Sequence, residues 1–138
     1  MSKSSKKSAP PAEEGGGPRR SGSPLYELLR EGKVSEFNRR IELGERVDLT
    51  GCDFRGIDLR GMDPTGLDFG GCYFRQSDLR GIDFRKAKLE GASINGARIS
   101  GAYFPPELSP EELRLSLNYG TRMRYQLIPE PTVIQVPV

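Results

Sequence analysis

Seven aspartates share one five-residue register: Asp48, Asp53, Asp58, Asp63 and Asp68 in unbroken succession, then Asp78 and Asp83. Carboxylates in such number could do two kinds of chemistry. Paired in a cleft with their pKa values pushed apart, they act as general acid and base. Converging on one point, they hold a hard cation such as calcium, which takes six or more oxygens. A single column of a repeat does neither, because it sets its side chains one above another on an exposed outer wall. The two thiols, Cys52 and Cys72, match no Cys-x-x-Cys spacing, and the chain has no histidine, so a Cys/His zinc site and any Ser/His/Asp or Cys/His nucleophile are excluded. No Gly-x-x-x-x-Gly-Lys phosphate loop is present either. The expectation is a protein without catalytic, cofactor-binding or metal-binding residues, with both cysteines buried and reduced.

The elements that would position these residues follow from the same period. Every fifth residue from position 49 reads Leu49, Phe54, Leu59, Pro64, Phe69, Phe74, Leu79, Phe84, Leu89, Ile94, Ile99 and Phe104, apolar and bulky at all positions but Pro64. A period of five is neither the helical 3.6 nor the strand's 2, so it marks an internal repeat. Two residues earlier stand Val47, Cys52, Ile57, Met62, Leu67, Cys72, Ser77 and Ile82, then Ala87, Ala92, Ala97 and Ala102; two residues later, nine of twelve positions are Gly. Residues two apart in an extended segment face the same way, so the central residue and the one two before it point inward and their neighbours outward. Glycine then allows the sharp corner. The pattern predicts a coil with flat sides, stacked on the next.

Residues 47–106 resemble the pentapeptide-repeat family, whose pattern is a small residue, Asp or Asn, Leu or Phe, then two free positions, often ending in Gly. Residues 52–56 (CDFRG), 57–61 (IDLRG), 67–71 (LDFGG), 77–81 (SDLRG) and 82–86 (IDFRK) follow it closely, and 92–96 (ASING) and 97–101 (ARISG) more weakly. The resemblance implies an all-β solenoid, a short right-handed quadrilateral β-helix with four pentads per coil. Twelve pentads make three coils, about 14 Å tall at ~4.8 Å between stacked strands. Pro64 departs from the pattern, and is expected to be tolerated because the first coil is an edge. Ile57, Met62 and Leu67 are larger than the usual small residue.

Outside the repeats, residues 1–24 lack aromatics, Val, Ile and Leu, and read as a disordered basic arm carrying Lys3, Lys6, Lys7, Arg19 and Arg20. Residues 25–46 read as a helical cap: Ser23 and Pro24 open a first helix bearing Leu25, Leu28 and Leu29, and Val34, Phe37 and Ile41 mark a second. In residues 107–125, Ser109 and Glu112 form a capping-box pattern with Pro110 at the first helical position, predicting a helix from Pro110 to about Tyr119 that stops at Gly120. Helices at both ends would shield the open strand edges. Residues 126–138 alternate proline with β-branched residues and read as an extended strap or a tail.

Residues 25–138 carry 16 basic and 17 acidic side chains, a balance that argues against a nucleic-acid-binding surface. No apolar run is long enough to cross a bilayer and no secretory h-region is visible, so the expected location is cytoplasmic, away from membranes. What remains is the surface. Arg55 and Arg75 stack on one side, Arg60 and Arg80 on the next and Arg85 on the third, each expected beside an Asp of its own pentad, while the third-coil equivalents are Asn95 and Ser100. Lys88 should fall above Asp68 and Arg98 above Asp78. The expected function is a non-enzymatic binding or adaptor module, a monomer or dimer whose Arg55, Arg60, Arg75, Arg80 and Arg85 meet a protein partner, with no cofactor and no small-molecule substrate. The family resemblance implies an alternative, mimicry of duplex DNA to occupy and protect DNA gyrase, which calls for a long and strongly acidic rod.

Overall fold

A computed structural model describes residues 17–128. Three helices flank the repeats: α1 (Pro24–Arg30), α2 (Val34–Glu42) and α3 (Pro110–Tyr119). Between them the chain winds so that each residue lies beside the one twenty positions on. Parallel bridges join Asp53 to Tyr73 and Tyr73 to Ser93, Asp58 to Asp78 and Asp78 to Arg98, Asp68 to Lys88, and Asp83 to Tyr103. Twenty residues hold four pentads, so each coil has four sides. Side one is centred on Leu49, Phe69 and Leu89; side two on Phe54, Phe74 and Ile94; side three on Leu59, Leu79 and Ile99; side four on Pro64, Phe84 and Phe104.

The central residues fill the stack. Phe54, Phe69, Phe74 and Phe84 are fully buried, as are Leu59, Leu79 and Ile94. Phe54 stands edge-on to Phe69 at 5.9 Å, and Phe84 is stacked with Phe104 at 5.9 Å. Each such ring contributes roughly 1.5–3 kcal/mol through burial. The residues two before them, Cys52, Cys72, Ser77, Ala87 and Ala92 among others, complete the interior. Ser77 sits there at no polar cost because its hydroxyl donates to the Phe74 carbonyl at 2.7 Å. Most corners are glycines in the left-handed region; at one corner Gln76 takes φ 59° instead, a conformation that strains a residue with a Cβ.

Among the described residues no segment forms a regular strand; the coils touch through isolated bridges. A side only five residues long, with a turn at each end, leaves room for one bridge and no ladder. Within a coil, the N–H groups of the central residue and the corner residue donate to the next coil, as in Phe54 to Tyr73 O (2.8 Å) and Gly56 to Arg75 O (2.9 Å). The N–H before the central residue points back, as in Tyr73 to Cys52 O (3.0 Å). This polarity corrects the reading of Pro64. Its missing N–H faces the second coil and not the outer edge, so no bridge joins Asp63 to Asp83, and side four is held there by the neighbouring bond from Gly66 N–H to Lys86 O (2.8 Å).

The segment assigned to a disordered arm is also corrected in part. Residues 1–16 lie outside the described residues, but 17–23 are set against the first coil. Arg19 bridges Cys52, donating its N–H to Gly51 O (2.8 Å) and accepting from Asp53 N–H (2.8 Å), while its guanidinium donates to the carbonyls of Asp48 (3.0 Å) and Thr50 (2.7 Å). Composition misses this because backbone pairing needs no apolar side chain. α1 and α2 close the rest of that end: Tyr26 donates its hydroxyl to Asp53 O (2.7 Å), and the Asn38 amide donates to Gly61 O (2.9 Å) and accepts from Asp63 N–H (3.0 Å).

At the other end, Ser109 accepts from Glu112 N–H (3.1 Å) and Gly120 ends α3 at φ 76°. The return half of the capping box is not made. Glu112 accepts instead from Arg124, through its backbone N–H at 2.8 Å and its guanidinium at 2.8 and 3.1 Å, tying the chain after α3 back onto the helix.

Candidate functional site

The outer wall of the seven pentads that carry an aspartate is built by one local device. The aspartate before the central residue accepts the backbone N–H two residues on and, where that residue is arginine, its guanidinium as well. Arg55 meets Asp53 at 2.9 and 3.1 Å, Arg60 meets Asp58 at 3.0 and 2.8 Å, Arg80 meets Asp78 at 2.9 and 2.7 Å, and Arg85 meets Asp83 at 2.9 and 2.8 Å. Bidentate pairs of this kind are geometrically specific. The guanidinium of Arg80 holds the Asp78 carboxyl down at about 2, and that of Arg85 does the same for Asp83. Asp53 and Asp58 are likewise lowered, first of all by their bonds to Arg55 and Arg60.

Arg75 breaks the pattern. The aspartate position of its pentad holds Tyr73, and among the described residues exposed Arg75 makes no ion pair, which corrects the expectation that every column arginine sits beside its own aspartate. Tyr73 is engaged elsewhere: its hydroxyl accepts from Arg122, whose guanidinium also lies over the ring at 5.1 Å from the centroid. Coupling between coils is sparse. Arg60 reaches Asp78 at 3.4 Å, whereas Lys88 and Arg98, one coil above Asp68 and Asp78, form no ion pair with them. Arg85 instead covers the ring of Tyr103, 4.4 Å from its centroid.

The five arginines therefore lie on sides two, three and four, four of them neutralised within their own pentads and Arg75 without an ion pair among the described residues. Sequence reasoning placed their columns. It overlooked the roles of Arg19, Arg122 and Tyr26, whose contacts are long-range and signalled by no periodicity. Among the described residues no three His, Cys, Asp or Glu side chains gather where they could hold a metal. A recess of about 610 Å³ is an open groove on side one, with Thr50, Asp68, Lys88, Glu90, Glu107 and Tyr125 in its walls.

Residues 68–104 match the family model for pentapeptide repeats, in 8 copies. These residues are pentapeptide repeats. The match begins after the first coil, where Ile57, Met62 and Pro64 depart from the repeat's small and apolar columns. No curated protein and no solved structure matches the chain. No helix of its described residues is long and apolar enough to cross a membrane.

Proposed function

We propose that this protein is a non-enzymatic binding module, cytoplasmic and monomeric, that offers sides two and three of a short right-handed quadrilateral β-helix to an acidic surface of a protein partner. The observation that carries the reading is Arg75. It stands exposed in the middle coil, on the wall shared with Arg55, with a tyrosine where its neighbours have a neutralising aspartate. Arginine is enriched at interface hot spots, and one whose donors are uncommitted among the described residues meets a partner's carboxylate without first breaking a pair there. The winding supports the fold: twenty residues per turn, parallel contacts, an apolar interior and helices at both ends.

Mimicry of duplex DNA finds less support. A mimic needs a surplus of negative charge, and on sides two and three Asp53, Asp58 and Asp78 are each matched by an arginine two residues on. The test starts with recovery of the partner from the native host on immobilised full-length protein, followed by titration of that partner against variants. Arg75→Glu should weaken binding by about 2 kcal/mol, the size of a hot-spot loss. The double variant Arg60→Glu/Arg80→Glu should weaken it less, because those heads are already held. Wild-type affinity in both variants would place the contact on another surface.

A further inference from the structure

Two arginines from opposite ends of the described chain meet at one corner of the coil stack. Arg19 arrives from the segment before α1 and Arg122 from the chain after α3, and both line a recess of about 390 Å³ where side one turns into side two. Its floor is glycine, at Gly51, Gly70 and Gly71, and Tyr73 stands beside it. Among the described residues no acidic side chain lines it.

The two guanidiniums are held in place by neutral groups. Arg19 donates from Nε to Thr50 O (3.0 Å) and from Nη2 to the carbonyls of Asp48 (3.0 Å) and Thr50 (2.7 Å). The Asp48 carboxylate stands 3.7 Å from that Nη2, but it takes its hydrogen bonds from Thr50, through the N–H at 3.0 Å and the hydroxyl at 2.6 Å. Arg122 donates from Nη1 to Gly91 O (3.1 Å) and from Nη2 to the Tyr73 hydroxyl, lies over the Tyr73 ring, and makes no ion pair among the described residues. Carbonyls, a hydroxyl and a ring face orient a cation without cancelling it. Arg55, Arg60, Arg80 and Arg85, by contrast, are each cancelled by an aspartate of their own pentad.

We propose that this recess is an anion site that takes a phosphate group. The nitrogens that remain decide between anions. A carboxylate is matched by two neighbouring nitrogens of one guanidinium, and both such edges include Nη2. Nη2 is engaged in Arg19 and in Arg122, so neither offers an untouched fork; the nitrogens without an acceptor among the described residues are Arg19 Nη1 and Arg122 Nε. A tetrahedral dianion suits single donors that come from two residues, because its oxygens point in separate directions and it carries the larger charge. The floor leaves room for it. A Cβ at Gly71 would lie 3.9 Å from Arg122 Nη1 and 3.7 Å from Gly51 Cα, so a longer side chain there would fill the space beside the guanidinium.

The test is an NMR titration of backbone amides in the full-length protein, at constant pH and ionic strength, with inorganic phosphate, O-phosphoserine and acetate in turn. Saturable shifts at Gly51, Gly71 and Tyr73 with phosphate or phosphoserine, and affinity at least about tenfold weaker for acetate, are expected. The tighter of the two phosphate ligands tells whether the group comes free or carried on a side chain. Arg19→Gln and Arg122→Gln should each weaken binding about tenfold, the loss of one charge-assisted hydrogen bond. Arg98→Gln removes an exposed cation from side three and should leave affinity unchanged. Absence of saturable shifts, equal affinity for acetate, or wild-type affinity in both recess variants overturns the proposal. An equal loss in Arg98→Gln overturns it in favour of binding by overall charge. Should the recess variants fail to fold, the wild-type shifts decide: shifts centred on Gly51, Gly71 and Tyr73 support the proposal, and shifts centred elsewhere overturn it.

Discussion

Phe54 and Phe74 stack one coil apart, with ring centroids 5.4 Å apart and planes 10° from parallel. Phe74 also tilts against Phe69 at 5.8 Å and meets Phe84 edge-on at 6.3 Å, so it is in ring contact along and across the coils. Truncating it leaves a cavity that a stack of short rigid sides cannot collapse around. Phe74→Ala should cost about 3–5 kcal/mol. Arg75→Ala, the next residue, is exposed and unpaired among the described residues and should change stability by less than about 0.5 kcal/mol. Chemical denaturation of both variants measures the contrast, and equal losses would mean that the inward and outward columns are misassigned.

The two thiols should stay inert in the native protein. Cys52 and Cys72 are fully buried and free, and burial pushes both thiols above their ordinary range, Cys72 the further. Cys72 donates its S–H to Leu49 O at 2.8 Å. Only the thiolate reacts, so a thiol reagent at pH 8 should label neither residue until denaturant is added, and then both. Rapid labelling of either residue in folded protein would contradict the inward placement.

The columns of the repeat were legible because a five-residue period has a single consequence: Phe74 and Phe84 must face in if Arg75 and Arg85 face out. The path of the backbone hydrogen bonds was not, since no side chain encodes which way an N–H points. Pro64 was for that reason assigned a harmless edge when it removes a bond between coils. The ends were legible only as helices. That Tyr26 would cap Asp53 O, that Glu112 would turn from its own helix N-terminus to Arg124, and that Arg19 would pair with the first coil all depend on where the chain folds back, and no local pattern states it. On the candidate site, the sequence placed five arginines but not their states. Four are committed to aspartates two residues away, and only the position of Tyr73 hinted that Arg75 would differ.

The aspartate–arginine pairs predict a particular acid response. Asp78 and Asp83 titrate at about 2 in the folded protein, against an unfolded value near 3.9. A carboxyl lowered on folding contributes stability that is complete above its unfolded value and is lost as pH falls through the folded one. Stability should therefore hold to about pH 4 and decline from there to about pH 2. In Arg80→Ala the Asp78 carboxyl returns toward its ordinary range, so the variant should differ most from wild type near neutral pH and converge with it toward pH 2. Denaturant midpoints measured across that window check the sign; a difference that widens in acid would contradict it.

The last prediction concerns Ser116, a fully buried serine on α3 whose hydroxyl does two jobs. It accepts from Ile94 N–H at 3.0 Å, supplying the partner a fourth coil would have offered, and donates to Thr121 O at 2.7 Å, fixing the turn that carries Met123 and Tyr125 over side one. Ser116→Ala strands the buried Ile94 N–H, a loss of about 1–3 kcal/mol for a buried group left unsatisfied, and releases Thr121 O at an exposed turn. Alanine's better helix propensity returns at most about 0.5 kcal/mol of that. Asn118→Ala, on the exposed face of the same helix, gains the same propensity and strands nothing, so it should be neutral or slightly stabilising. The pair therefore separates the hydrogen bonds from the helix. A thermal midpoint lowered by Ser116→Ala and unchanged or raised by Asn118→Ala assigns the closure of sides one and two to this hydroxyl. Equal effects would mean that α3 holds the coil end without this hydroxyl, through the Leu117 carbonyl, which accepts from Gly96 N–H, and the apolar packing of Leu113 and Leu117.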